Sequence, residues 1–178
     1  MAQLDEVLAP DYLDGLNGWP IERVRARRDD AMMVETGLLY LRRIAQGRLD
    51  IVQFEQGRRR RGEPGPDLSE LVGRLPEILA DGVDASGRGQ LTAVIASGEG
   101  EVDPRLAAKL EAALPSARLD AIFEFDAADL AAVSDALGAF ERSVSAQRHA
   151  VLDVIDHLQE ELVRRYRSGE ATVDSLLP

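Results

Sequence analysis

Near the C-terminal end of the chain, Leu130, Leu137, Val144, Val151 and Leu158 recur every seven residues, and Val133, Phe140 and Val154 thicken the stripe. Nearer the N-terminus, Val34, Leu38, Leu41, Ala45, Leu49 and Val52 draw a comparable stripe. Apolar positions sustained at this spacing predict two long helices packed as a coiled coil. Both helices belong to one chain and are joined by a long connection, so they can pair antiparallel. The expected fold class is therefore mainly α: a long antiparallel two-helix coiled coil with short additional helices and an irregular middle segment.

Polar residues beside each stripe repeat as well. Glu35, Leu39, Arg42, Gln46 and Asp50 form one set; Glu141, Ser145, Arg148, Leu152 and Asp156 form another, 106 residues later. Steps of four, three, four and four residues keep all five positions within an arc of roughly 80° on a helix. Each set is thus a ladder of acid, small or apolar residue, arginine, spacer and acid along one helix face. Two matching ladders suggest one symmetrical object gripped from both sides. The plainer reading is a solvated face of intrahelical ion pairs, for which such spacings are common. Recurrence in the same phase, each time flanking the seam, weighs against it.

The pattern divides the chain into five parts. Residues 1–20 form an N-terminal arm, mostly exposed, with Leu8, Tyr12, Leu13, Leu16 and Trp19 as apolar anchors. Pro20 sits where a helix can begin, and residues 21–61 form the first ladder helix. Gly37, Gly47 and Gly57 within it each cost about 1 kcal/mol relative to alanine. Residues 62–126 hold short helices and an acidic connection. GEPGP ends the first helix, residues 68–80 can form a short amphipathic helix capped by Asp67 or Ser69, and QLTAVIAS (residues 90–97) suits a strand or a buried helical turn. Pro104 to Leu114 predicts another short helix. Residues 127–168 form the second ladder helix, and 169–178 a C-terminal tail with a small apolar hook. Arg58 to Arg61, and Arg164, Arg165 and Arg167, sit in last turns, where they complement the helix dipole.

Composition narrows the function. The 178 residues carry a net charge of -11, which argues against direct binding to nucleic acid. Residues 81–135 hold eleven acids and four bases, so most of the excess lies there; it reads as a solvated connection or as a surface for a basic partner. With no cysteine, disulfides, zinc–thiolate sites and thiol catalysis are excluded. His149 and His157 are eight residues apart, too far for a helical metal pair, and no phosphate loop or nucleophile elbow is present. No metal site and no catalytic residue is expected. The opening residues lack the apolar run of a signal peptide, no stretch is long enough to span a membrane, and a cytoplasmic location is expected.

The ladder residues suit a guanine nucleotide. A guanidinium stacks on a base and donates paired hydrogen bonds to guanine O6 and N7 or to phosphate. A carboxylate accepts from the N1–H and N2–H edge. Each ladder covers about 22 Å of helix, enough for a dinucleotide or a stacked dimer. At this level the chain resembles the RsiG family, cyclic-di-GMP-responsive anti-sigma factors of actinobacteria. The resemblance rests on the ladder Glu-x3-Ser-x2-Arg-x3-Gln-x3-Asp, once per helix. It extends to LAPDYLDGL near the start, YLRRIAQGRLDI in the first helix, DLSELVGRLPEILAD after it and RRYRSGEATVDSLL at the end. It implies that a cyclic di-GMP dimer binds at the coiled coil and that the loaded protein sequesters a WhiG-type sigma factor. The implied ligand contacts are Glu35, Arg42, Gln46, Asp50, Glu141, Ser145, Arg148 and Asp156. Leu39 stands where the family pattern has serine, and Leu152 where it has glutamine. The alternative without a ligand is a coiled-coil adaptor.

Overall fold

A computed structural model of the protein describes residues 3–64 and 102–169. The expected short helix at 68–80, the segment 90–97 and the tail from residue 170 lie outside them. Helix α1 spans Leu4–Val7, α2 Ile21–Arg60, α3 Pro104–Ala113 and α4 Ala127–Ser168. Short 3-10 turns at Leu16–Gly18, Ser116–Arg118 and Asp120–Glu124 complete the order, and no strand occurs among the described residues. The ladder helices thus begin where the sequence pattern places them, and α2 ends one residue earlier than expected.

Local chemistry sets the helix ends. Pro20, with its φ fixed near the helical value and no N–H to leave unpaired, directly precedes α2. Asp126 accepts a hydrogen bond from the Asp129 N–H at 2.8 Å and caps α4. Asp103 accepts from the Arg105 N–H at 2.8 Å, with Pro104 in the first turn of α3. At the end of α2, Gly62 adopts φ +65°, which lets the Glu63 N–H return to the Arg58 carbonyl and the Gly62 N–H to that of Arg59. That left-handed closure suits glycine, which has no Cβ to clash.

Helices α2 and α4 pack against each other along most of their lengths. Val24, Ala31, Leu38, Ala45 and Val52 on α2 are at most 2% exposed, as are Leu130, Leu137, Val144, Val151 and Leu158 on α4. Each set is a strict heptad. Two cross-helix bonds, Arg42 to Glu141 and Arg148 to Glu35, fix the antiparallel register. In that register the heptads meet as five layers: Val24 with Leu158, Ala31 with Val151, Leu38 with Val144, Ala45 with Leu137, and Val52 with Leu130. The two alanines of α2 fall opposite larger side chains, so each layer combines unequal volumes.

The 106-residue repeat reaches well beyond the ladders. It carries the first residue of α2, Ile21, onto the first of α4, Ala127, and every α2 heptad position onto one of α4. It also carries Leu16 onto Ile122 and Trp19 onto Phe125, both in the segments that lead into the long helices. Leu38 and its equivalent Val144 share a layer, so a pseudo-two-fold axis passes through the middle of the coiled coil.

Both ends are fastened by equivalent buried charges. Glu55 has no exposed surface and accepts from Arg58 (2.6 and 2.7 Å) and Arg59 (2.5 Å). Arg59 also donates to the carbonyls of Phe123 (2.9 Å) and Phe125 (2.6 Å), just before α4. At the other end Glu161 accepts from Arg164 at 2.8 Å and from Arg165 at 2.6 Å. Arg165 reaches the carbonyls of Leu16 (2.8 Å) and Trp19, just before α2. These arginines are therefore not only partners of the helix dipole. They bolt the end of each long helix to the entrance of the other.

The arm is also less exposed than its sequence suggests. Leu4, Val7, Tyr12 and Trp19 are buried, the Tyr12 hydroxyl donates to the Arg27 carbonyl at 3.0 Å, and the Arg23 guanidinium lies over the Trp19 ring at 4.2 Å. Helix α3 is held by Arg48, which is buried and donates to the carbonyls of Leu110 (3.3 Å) and Leu114 and to the Ser116 hydroxyl (2.7 Å), and pairs with Glu111.

Two tests follow from this packing. Leu137→Asp or Val144→Asp places an unpaired charge in a closed layer and should unfold the chain or leave it molten, read as lost helical circular dichroism and lost cooperative melting. The end bolts predict an acid effect. The Arg164 hydrogen bonds, against the opposing effect of burial, hold the Glu161 carboxyl at about 2, below its ordinary 4.5. A depressed value adds stability above pH 4.5 that is lost as the pH falls towards 2. The melting-temperature advantage of wild type over Glu161→Gln should shrink across that window.

Candidate functional site

The antiparallel register turns the two ladders toward each other, crossed and reciprocal. Arg42 Nε donates to Glu141 Oε1 at 2.9 Å, and Arg148 Nε donates to Glu35 Oε1 at 2.5 Å. Each arginine is thus held by the acid of the other helix. The four side chains are 16–33% exposed, so the pairs lie at the lip of the seam. Only Nε of each guanidinium is used among the described residues, which leaves the terminal nitrogens as further donors.

The Glu141 carboxylate gathers further donors. Gln46 Nε2 donates to its Oε1 at 3.2 Å and Ser145 Oγ at 3.0 Å. Burial pushes this carboxyl upward, but Arg42, Ser145 and Gln46 together outweigh it and hold it below the ordinary carboxylate range. It stays ionised and hydrogen-bonded at neutral pH. Glu35 accepts from Arg148 alone among the described residues.

Asp50 and Asp156 lie at the outer ends of the ladders, each about 12 Å along its helix from the arginine. Both are exposed and make no hydrogen bond or ion pair with a described residue. Although Asp50 is exposed at its surface, desolvation by the surrounding protein raises its carboxyl above the ordinary value. The structure therefore brings Glu35, Arg42, Gln46, Glu141, Ser145 and Arg148 into one central cluster. It leaves the two aspartates apart from that cluster, with no donor among the described residues.

Leu39 and Leu152 are half-buried and stand outside the apolar core cluster. They belong to the ladder face rather than to the seam. Tyr40, beside Leu39, is 46% exposed. His149 and His157 are exposed, each with its ring Nδ1 against a carbonyl one turn earlier, Ser145 at 2.8 Å and Asp153 at 2.6 Å. Among the described residues, no cluster of three or more His, Asp or Glu side chains is placed to hold a metal ion. None of the described helices is long and apolar enough to cross a membrane.

Sequence reasoning missed Glu55, Arg59, Glu161 and Arg165, the bolts that keep the ladders in register. A signal was present: Glu-x2-Arg-Arg recurs at the same 106-residue offset as the ladders. The buried Arg48 had no such signal, because its partners lie on α3 and just past its end, more than 60 residues away.

The fold and site define an α-helical protein, built as a pseudo-two-fold coiled coil with one charged cluster shared by its two long helices. A family model described as RsiG-like matches residues 10–79, from the arm through the whole first ladder helix and beyond it. Over that stretch the chain is similar to the family. No curated protein matches it.

The reciprocal pairing predicts energetic coupling between the helices. Arg42→Ala and Glu141→Ala, singly and together, should show a coupling of about 0.5–1 kcal/mol by urea unfolding, reduced at high salt because the pair is partly exposed. Additive losses would mean that the two side chains do not pair in solution.

Proposed function

We propose that this chain is an anti-sigma factor whose ladder face binds cyclic di-GMP, as a dimer, and that the loaded protein sequesters a WhiG-type sigma factor and so represses transcription. It acts as a cytoplasmic binding protein and not as an enzyme. The observation that carries the reading is the meeting of two ladders that share acid, arginine and acid about one pseudo-two-fold axis, a geometry that suits a two-fold-related ligand. The match of residues 10–79 to the RsiG-like family model supports the choice of partner class.

The chemistry of each side chain agrees with this role. The terminal nitrogens of Arg42 and Arg148 can donate to guanine O6 and N7 or to phosphate. Asp50 and Asp156 can accept from the N1–H and N2–H edge of guanine. Glu35 and Glu141, with Gln46 and Ser145, hold the arginines in place and add acceptors and donors around the bases. A sigma factor presents basic surfaces made for DNA, and a net charge of -11 favours its encounter electrostatically. Charge alone would allow binding without a ligand, so a ligand requirement has to arise at the ladders.

One observation favours a second reading, a coiled-coil adaptor that needs no ligand: the central arginines and glutamates already satisfy one another. The two readings separate in one experiment. Sigma-factor affinity is measured for wild type and for Arg42→Ala/Arg148→Ala, with and without cyclic di-GMP. Wild type should gain at least about tenfold (about 1.4 kcal/mol) from the nucleotide and the double variant almost nothing. Equal affinity in all four cases would leave the adaptor.

The ligand step has its own test. Arg148→Ala removes stacking and a charge-assisted hydrogen bond, at a cost of about 2–3 kcal/mol, so cyclic di-GMP affinity should fall by about 30-fold or more. His149→Ala, one residue on but exposed and turned about 100° away, is the control. Equal losses from both would count against the ladder face as the site.

A further inference from the structure

The two departures from the familial ladder lie on different helices, and in sequence they look unrelated. The crossed register brings them together. Glu141 takes its three hydrogen bonds from Ser145, one turn along its own helix, and from Arg42 and Gln46 on the other. The 106-residue repeat maps this set onto a second one. Glu141 corresponds to Glu35, Arg42 to Arg148, Ser145 to Leu39, and Gln46 to Leu152. Leu39 therefore holds the place of the hydroxyl donor to Glu35, and Leu152 the place of the amide donor. Both substitutions strip the same carboxylate, and of the three equivalent bonds Glu35 keeps only that from Arg148.

We infer that the ladder face consists of two unequal half-sites, a preorganised half around Glu141 and a stripped half around Glu35, and that cyclic di-GMP fills the Glu141 half first. This rests on the proposal that the face binds that nucleotide. In the Glu141 half the carboxylate is pinned by three donors, and Gln46 and Ser145 are aligned with it. A ligand arriving there meets groups already in place and loses little side-chain freedom in binding. In the Glu35 half one bond orients the pair and two half-buried leucines replace polar groups. That half offers apolar contact to a base but must order its carboxylate when the ligand arrives. Filling the first half then supplies a stacked base, so the weaker half takes the second nucleotide with the first already present.

The experiment combines titration calorimetry of cyclic di-GMP with melting of the nucleotide-free protein, on the full chain. Wild type should bind in two steps whose Kd values differ by about tenfold or more. Glu141→Gln should abolish the tight step, whereas Glu35→Gln should leave it within about twofold. Leu39→Ser with Leu152→Gln restores both missing donors and should bring the two steps within about threefold of each other. Without nucleotide, Glu141→Gln, which disturbs three bonds, should lower the melting temperature at least twice as much as Glu35→Gln, which disturbs one. Equal melting losses overturn the inequality of the halves, whether or not the nucleotide binds. A single-step wild-type isotherm that Leu39→Ser/Leu152→Gln leaves unchanged overturns the order of filling. Unequal melting losses with no binding to any variant would reject the nucleotide as ligand, and the filling order with it, while the structural asymmetry would stand.

Discussion

The five apolar layers between α2 and α4 are the constraint on which the rest depends. They fix which residue of one helix stands opposite which residue of the other, and the ladders have no meaning without that register. A slip of one heptad would keep most of the apolar contacts and move each ladder about 10 Å past its partner. Arg42 would leave Glu141, and Arg148 would leave Glu35. What opposes such a slip is the pair of buried bolts. Arg59 and Arg165 hydrogen-bond to main-chain carbonyls at the far ends of the coiled coil, and carbonyls of a folded turn cannot follow a sliding helix. A slip would strip Arg59 and the buried Arg165 of those carbonyl acceptors, a costly state for donors taken out of water. The charges at the ends therefore select one register out of several that the apolar seam alone would tolerate.

Much of this was legible in the sequence because it is periodic. Seven-residue spacing reveals a seam, and a second ladder in the same phase reveals a shared face. Both signals depend only on helix geometry, which is why the start of each long helix and the side chains of the central cluster emerge directly. The arm was harder to read. Its burial depends on Tyr12 and Trp19 finding Arg27 and Arg23 on α2, and pairings across a turn leave no periodic trace. Arginine-rich helix ends fit the dipole explanation so well that their second role stayed hidden. Only the packing shows that Arg59 and Arg165 point inward across the helix pair rather than out into solvent.

The crossed pairing changes what the ladders mean. Read along one helix, the acid and arginine of a ladder seem to be a local unit. In the folded protein each arginine belongs to the acid of the other ladder, so neither helix carries a complete half-site. Conversely, changes far apart in sequence can converge on one carboxylate, as Leu39 and Leu152 do around Glu35. The alignment of a single ladder with a family pattern counts these as two isolated losses, whereas the register makes them one.

The same pairing bears on how a ligand could act at this face. A ligand shifts an equilibrium only by binding one state better than another. If the central pairs had to break before binding, their energy would count against the ligand. The geometry avoids that conflict, because Glu35 and Glu141 engage only Nε of each arginine. Each guanidinium is held through Nε, and its terminal nitrogens make no hydrogen bond to a described residue. The pairs then act as supports that fix the arginines beforehand, and a ligand that met the terminal nitrogens would add hydrogen bonds without removing those present. Asp50 and Asp156 make no hydrogen bond or ion pair with a described residue and place exposed carboxylates at the two ends of the face. Under the proposed function, donors at the centre of the face and carboxylates at its ends give it the polarity that a guanine base requires.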